Sequence, residues 1–188
     1  MQLKISNITN LTDARFFNAL GANYLGFCFD SLHANNISIE KAKTIIQWLH
    51  NPVIVGEFGL HQSKSEVEYI AQQLELNDIQ IPLEHPQMQE FNFEKFLCID
   101  SVSAVYSPQS ADFYVVKINE SDMDNHDLKN FISNNKVFIE ANFSKENIIP
   151  IIEKLQPFGI QISCKKEEKT GWSVVDEYAE LLDVIGFS

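Results

Sequence analysis

Short apolar segments recur along the chain at nearly regular intervals. Eight of them have the length of a β-strand, and most are continuously apolar, as strands buried on both faces of a parallel sheet are. The predicted strands are Leu3–Ser6, Tyr24–Phe29, Val53–Phe58, Asp78–Ile81, Phe96–Asp100, Phe113–Ile118, Lys136–Ala141 and Gly159–Ser163.

Segments with helical periodicity separate these strands. Ser38, Ser63 and Ser144 each precede an acid by two or three residues, which is a signature of a helix N-terminus. The segments after the fourth and fifth strands are short and contain Pro86 and Pro108, so we expect only rudimentary helices there. The predicted helices are Thr12–Leu20, Ser38–His50, Ser63–Leu74, Asn125–Asn134, Ser144–Leu155 and Trp172–Ile185.

This alternation predicts an α/β fold in which eight parallel strands close into a small (β/α)8 TIM barrel with helices 4 and 5 reduced. The chain has 188 residues and no low-complexity linker, so we expect residues 1–188 to form a single barrel domain. The alternative is an open doubly wound sheet. No glycine-rich turn follows the first strand to support that alternative.

Charge and composition exclude several classes of partner. The formal net charge is −12 and Arg15 is the single arginine, so the clustered cations that bind nucleic acid are missing. No run of about 18 apolar residues predicts a membrane span, and the first residues lack the apolar core of a secretory signal. Cys28, Cys98 and Cys164 are odd in number and widely spaced, which favours reduced thiols. We expect a cytoplasmic monomer or homodimer that binds neither nucleic acid nor membrane.

A series of short motifs extends over nearly the whole chain: KISNITNLTDA, ALGANYLGFCF, ISIEKA, VIVGEF, DIQIP, ANFSKENI and GIQIS. In this order they resemble the phosphoribosylanthranilate isomerase family of tryptophan biosynthesis. The resemblance implies a TIM barrel. It also implies, as the family's activity, an Amadori rearrangement of an aminoaldose phosphate, which is an intramolecular aldose–ketose isomerisation. In that reaction a base removes the proton beside the imine carbon and an acid protonates the ring oxygen.

The two positions that carry this chemistry in the family are changed. The family's opening motif is Lys-Ile-Cys-Gly-Ile-Thr with the cysteine as base, and Ser6 aligns with that cysteine. A thiol has a reference pKa near 8.5, whereas a serine hydroxyl is far less acidic and needs an activating partner. The family's acid is an aspartate at the end of strand six, and Lys117 aligns with it. A shift of register would bring Asn119, Glu120 or Asp122 there.

The positions that bind substrate in the family are changed as well. Its arginine for the anthranilate carboxylate aligns with Asn35, and a neutral amide cannot replace a bidentate guanidinium. Its glycine-rich phosphate motifs align with segments that contain Glu140, Asn142, Ser163 and Cys164. A carboxylate at position 140 would repel a phosphate. We therefore expect the ancestral isomerase activity to be absent.

Charged residues at the ends of the strands leave other functions open. Glu57, Asp100, Lys117 and Glu140 follow apolar strands, and barrel enzymes keep their catalytic groups at these ends. They form either a new pocket for another small-molecule reaction or for binding, or an ion-pair network that fills a disused pocket. We expect Glu57, Lys117 and Glu140 to point into the barrel mouth with at least one carboxylate–ammonium contact. An active isomerase with relocated catalytic groups is the remaining alternative.

Two further features are candidate signals of function. Asp30 and His33, and likewise Glu84 and His85, lack the fixed spacing of metal-binding motifs, so we expect neither metal nor cofactor. The two phenylalanines in the segment 91–93 would be exposed if the barrel served as a platform for a protein partner.

Overall fold

The computed structural model describes residues 1–102, 105, 110–165 and 175–187. Eight parallel strands form a closed barrel in which each strand pairs with the next and the eighth pairs with the first. The predicted TIM barrel is confirmed. The strands are β1 Gln2–Ser6, β2 Tyr24–Cys28, β3 Val53–Glu57, β4 Asp78–Pro82, β5 Glu94–Ile99, β6 Phe113–Lys117, β7 Val137–Glu140 and β8 Gly159–Ser163.

In the described part of the chain, six α-helices lie outside the barrel. Only a 3-10 turn, Met88–Glu90, follows β4, and the described residues between β5 and β6 contain no α-helix. The expected reduction of the fourth and fifth crossover helices is therefore present. A second 3-10 turn, Glu120–Asp124, precedes the helix after β6. The helices are α1 Leu11–Ala19, α2 Ile39–Ile46, α3 Lys64–Leu74, α4 His126–Asn134, α5 Ile148–Leu155 and α6 Val175–Asp183; the predicted start of the last one, 172–174, lies outside the described residues.

The helix starts follow the serine signals in two cases of three. The hydroxyls of Ser38 and Ser63 each accept a hydrogen bond from the backbone N–H three residues later. The predicted start at Ser144 is wrong, because its N–H donates to the Asn147 side chain at 2.8 Å and forms a turn instead. The helix then begins at Ile148.

The barrel interior has two layers. The lower layer, near the amino ends of the strands, is a buried apolar cluster of Val55, Phe96, Phe113, Val115 and Phe138, against which other aromatic side chains pack. We call it the aromatic layer. Toward the carboxyl ends, strand alternation brings the buried polar side chains of Lys4, Ser6, Glu57, Gln80 and Gln161 inward, and these form the polar layer.

The segment after β4 compensates for its missing helix with aromatic packing. Phe91 is buried and its ring lies edge-on to His85, with 5.2 Å between the ring centroids. Phe93 is partly buried against the main core. The expectation that these rings are exposed for a partner is wrong, because the 3-10 turn folds Phe91 back onto the core. None of the helices in the described part of the chain is both long and apolar enough to cross a bilayer.

Candidate functional site

The carboxylate of Glu57 is the centre of a buried hydrogen-bond network at the barrel mouth. The ammonium of Lys4 donates to Oε1 at 2.6 Å, and the Ser6 hydroxyl and the Asn7 N–H donate to Oε2 at 2.9 and 3.0 Å. Lys4 has no exposed surface, and its Nζ lies 5.7 Å from the centroid of the Phe96 ring. Both oxygens of Glu57 are therefore occupied, and its charge is compensated within the barrel.

A glycine on the intervening strand makes this ion pair possible. Lys4 is on β1 and Glu57 is on β3, and Gly26 of β2 lies between them. A Cβ atom on Gly26 would lie 2.0 Å from Glu57 Oε1, so the carboxylate occupies the space that a side chain would need. Asn7 has a positive φ of 61°, a conformation that asparagine tolerates better than most residues.

The expected carboxylate–ammonium contact exists, but its partner differs from the one predicted. Glu57 pairs with Lys4, which the sequence reasoning missed, although strand alternation puts Lys4 and Ser6 on the same inward face. Lys117 is beside Glu140 in the strand register but is exposed, and it forms no salt bridge with any residue that the structure describes. It faces a neighbouring cleft of about 310 Å³, together with Asp100.

Glu140 is held at the rim of the mouth by the adjacent strand. The Gln161 amide donates to Oε2 at 2.9 Å, and the Ser163 hydroxyl donates to Oε1 at 2.9 Å. Ser163 is the strand partner of Ser6, so the two carboxylates, Glu140 and Glu57, each bind one hydroxyl of this pair. Both serine protons are thereby directed to carboxylates.

A cleft of about 280 Å³ opens above the polar layer, and we call it the mouth cleft. Four carboxylates line it, and none of its described lining residues is a lysine or an arginine. Its polar and thiol lining consists of Ser6, Asn7, Cys28, Asp30, His33, Glu57, Gln80, Cys98, Asp100, Glu140, Gln161 and Ser163. The predicted pocket residues Glu57, Asp100 and Glu140 thus meet here, whereas Lys117 does not join them.

The thiols beside the mouth cleft are protonated at neutral pH. Burial, together with a smaller contribution from the nearby Glu57 and Asp30 carboxylates, raises the pKa of Cys28 to about 12. Burial also raises the pKa of Cys98 far above its usual range. All three cysteines are free, as expected. Reactive cysteines have a lowered pKa, so neither thiol has the character of a base or a nucleophile.

Two of the aligned substrate-binding positions, Asn35 and Cys164, form hydrogen bonds with backbone groups. The buried Asn35 amide donates to the Cys164 carbonyl at 2.9 Å, and the Cys164 N–H donates to the Ser6 carbonyl at 2.9 Å. The first bond ties the loop after β2 to the residue that follows β8, and the second ties that residue to the end of β1. Asn142 lines a second cleft of about 420 Å³ beside the ends of β7 and β8, and its carbonyl accepts a hydrogen bond from Asn147.

The two histidines considered as metal ligands have hydrogen-bond partners in the backbone of loops. His33 Nδ1 accepts from the Asn35 N–H at 3.2 Å, and His85 Nε2 lies 2.9 Å from the Gln62 carbonyl. Within residues 1–102, 105, 110–165 and 175–187, no three His, Cys, Asp or Glu side chains are grouped in a way that could hold a metal ion.

Comparison with known proteins gives a consistent result, although no family model matches the chain. The N-(5'-phosphoribosyl)anthranilate isomerase of Crocosphaera subtropica is 25% identical in an alignment of length 206, gaps included, that covers 97% of each chain. Mutually generated monomers of the dimeric phosphoribosylanthranilate isomerase of Thermotoga maritima superpose with a TM-score of 0.79 at 20% identity, over 98% of this chain and 97% of that one. A phosphoribosylanthranilate isomerase in complex with reduced 1-(o-carboxyphenylamino)-1-deoxyribulose 5-phosphate has a TM-score of 0.81 at 20% identity, over 97% of each chain. At these identities the solved structures demonstrate a common fold.

Proposed function

We propose that the chain, which is similar to phosphoribosylanthranilate isomerases over nearly its whole length, is a divergent member of that family that no longer isomerises phosphoribosylanthranilate. Its barrel mouth has become a site for another small molecule. One observation carries the proposal: the hydroxyl of Ser6, at the position of the family's base, donates to a Glu57 carboxylate that Lys4 already neutralises. To act as the base, Ser6 would have to be an alkoxide, and a serine hydroxyl is a far weaker acid than a thiol.

Neighbouring thiols do not replace the missing base. Cys28 and Cys98 line the mouth cleft, but burial raises the pKa of each thiol far above its usual value. With the pKa of Cys28 at about 12, only about one molecule in 10⁵ carries that thiolate at pH 7. Such a population offers no useful general base.

Groups near the aligned acid position are also unsuited to the family's reaction. Lys117 carries no carboxyl proton and faces the neighbouring cleft. The carboxylates that a shifted register would bring there are engaged in local structure. Asp122 accepts from the Asn119 N–H at 2.8 Å, and Glu120 accepts from the Asn147 amide at 3.0 Å.

The aligned phosphate position carries a negative charge. Glu140 lies there, and the Ser163 hydroxyl donates to Glu140 and is therefore not free to donate to a phosphate. Two like charges about 4 Å apart repel by about 4 kcal/mol at an effective dielectric constant of about 20. A phosphate dianion would therefore be disfavoured at this rim.

A direct assay tests the loss of activity. Purified protein should give no detectable turnover of phosphoribosylanthranilate, and Ser6→Cys should not restore it, because Lys117 and Glu140 remain. Reduced 1-(o-carboxyphenylamino)-1-deoxyribulose 5-phosphate should bind no more tightly than about millimolar. A family enzyme with the cysteine serves as the positive control. Turnover at a rate usual for enzymes, about 1–10³ per second, would contradict the proposal.

The second candidate is an active isomerase with relocated groups. It is favoured by the position of Glu57, whose Oε2 lies 2.9 Å from the Ser6 hydroxyl and thus within reach of the aligned base position. This candidate requires rescue of a tryptophan auxotroph by the wild-type chain and its loss in Glu57→Gln. The same complementation assay therefore distinguishes the two candidates.

The proposal includes the organisation of the protein. We assign residues 1–188 to one barrel domain located in the cytoplasm. Size-exclusion chromatography with light scattering distinguishes the monomer from the homodimer.

A further inference from the structure

Two buried side-chain carbonyls lining the mouth cleft have no donor. Gln80 is 8% exposed and Gln161 is 1% exposed, and the Oε1 atom of each accepts no hydrogen bond from any residue that the structure describes. The orientation of Gln161 follows from its bond, because its amide nitrogen donates to Glu140. A buried acceptor without a donor costs free energy, so these oxygens favour a ligand that brings N–H groups.

The charges around the mouth cleft determine which sign of charge the ligand carries. Glu57 is neutralised by Lys4, but Asp30, Asp100 and Glu140 line the same cleft, and its described lining contains no lysine or arginine. A concave site lined by one sign of charge concentrates the opposite charge.

The serine hydroxyls of the mouth cleft already donate hydrogen bonds within the protein. The Ser6 and Ser163 protons are directed to Glu57 and Glu140, so the groups that remain for a ligand are mainly acceptors. The complementary ligand carries a positive charge together with several N–H donors.

We propose that the mouth cleft binds a small organic ammonium ion. The Gln80 and Gln161 carbonyls accept its N–H groups, and the Asp100 and Glu140 carboxylates balance its charge. This inference rests on the proposed function, because it requires that the mouth no longer serves an anionic phosphate substrate. The volume of about 280 Å³ lies just below the range of about 300–1,000 Å³ of pockets for drug-sized ligands, which fits a short-chain amine.

Three four-carbon probes test the proposal by isothermal titration calorimetry at low ionic strength. We expect 1,4-diaminobutane to bind with a submillimolar Kd, at least about tenfold more tightly than the neutral 1,4-butanediol. Succinate, the anionic member of the series, should not bind. Equal affinity for the diamine and the diol would overturn the inference.

Variants distinguish binding of the diamine in the mouth cleft from nonspecific attraction of a cation to an acidic protein. Gln80→Met should weaken binding of the diamine at least about fivefold and raise the Tm of the ligand-free protein, because it removes the unsatisfied oxygen. Asp100→Asn changes an exposed residue, so folding is preserved, and it should weaken binding about threefold. Glu153→Gln on the exposed side of α5 removes the same charge away from the mouth and should change nothing. An equal loss in Glu153→Gln and Asp100→Asn would contradict a specific site.

The outcome also distinguishes this inference from the proposed function. If neither the diamine nor the reduced product analogue binds, the ammonium site is wrong and the loss of isomerase activity stands. If the reduced analogue binds tightly and phosphoribosylanthranilate is turned over, both proposals are wrong.

Discussion

The two interior layers of the barrel are built on the same strands but are stabilised in different ways. In the aromatic layer, Phe96 stacks on Phe113 with centroids 4.5 Å apart, and Phe138 lies 5.6 and 6.0 Å from them. Only two residues further along β3, the polar layer holds Glu57, compensated by Lys4. The lower layer is complete by packing alone, whereas the upper one depends on charge pairing and leaves acceptors unused.

The difference indicates how one barrel can combine a stable core with a changeable site. Packing in the aromatic layer depends on shape and volume, so its contribution to the free energy of unfolding is almost independent of pH. Burying one of the polar side chains above it without a partner costs free energy, and this cost is offset only when the partners are buried with it. Changes at the mouth are therefore expected to occur in groups.

The largest expected effect concerns the aromatic layer. Phe96→Ala removes a fully buried ring in contact with Phe113 and should lower the free energy of unfolding by about 4 kcal/mol, measured by urea denaturation. Trp48→Ala is the control, because Trp48 is 57% exposed and its loss should matter little. A loss below about 1 kcal/mol for Phe96→Ala would mean that the layer is not closely packed.

The next effect concerns the polar layer. Lys4→Met keeps most of the side-chain volume but leaves the Glu57 charge uncompensated, so the free energy of unfolding should fall by about 3 kcal/mol. The double variant Lys4→Met/Glu57→Gln should recover part of this loss, because it removes the isolated charge. Lys64→Met breaks the surface pair with Glu68 and should cost less than about 1 kcal/mol. Similar losses for Lys4→Met and Lys64→Met would contradict the role of burial.

The smallest effect concerns the opposite rim, at the start of β4. Burial, together with the nearby Glu94 and Asp112 carboxylates, raises the pKa of Asp78 to about 6. Because the folded pKa is above the unfolded one, the stabilising contribution of this carboxyl is complete below about pH 4 and is lost as the pH rises through 6.

Asp78→Asn should therefore stabilise the protein at pH 7 by about 1 kcal/mol, after an allowance for solvent screening, and should give no gain at pH 4. Urea denaturation at the two pH values measures this, with the exposed Asp183→Asn as the control. A gain of equal size at pH 4 would show that the effect does not come from titration.

The strands were predictable because barrel strands are buried on both faces and read as continuous apolar runs. The predicted bounds of β8, Gly159–Ser163, agree with the structure, and the other strands differ by one or two residues at their ends. The closed order followed from alternation of strands and helices. The start of α5 could not be predicted from Ser144, because the Ser144 N–H donates to the Asn147 side chain and forms a turn that competes with the helix.

The composition of the site was predictable only in part. Inward orientation of Glu57 followed from its place at a strand end, but its partner depended on how far a lysine reaches across β2. That reach is set by the stagger of the strands and by the missing side chain of Gly26, and neither is visible in a local pattern. The burial of Phe91 likewise depends on a long-range contact with the core.

The close approach at Gly26 also constrains how this mouth could have evolved. With only 2.0 Å between Glu57 Oε1 and the place of a Cβ atom on residue 26, any side chain there displaces the carboxylate from Lys4. The residues that positions 4, 26 and 57 can hold therefore depend on one another, and a change at one of them alters what the other two can be.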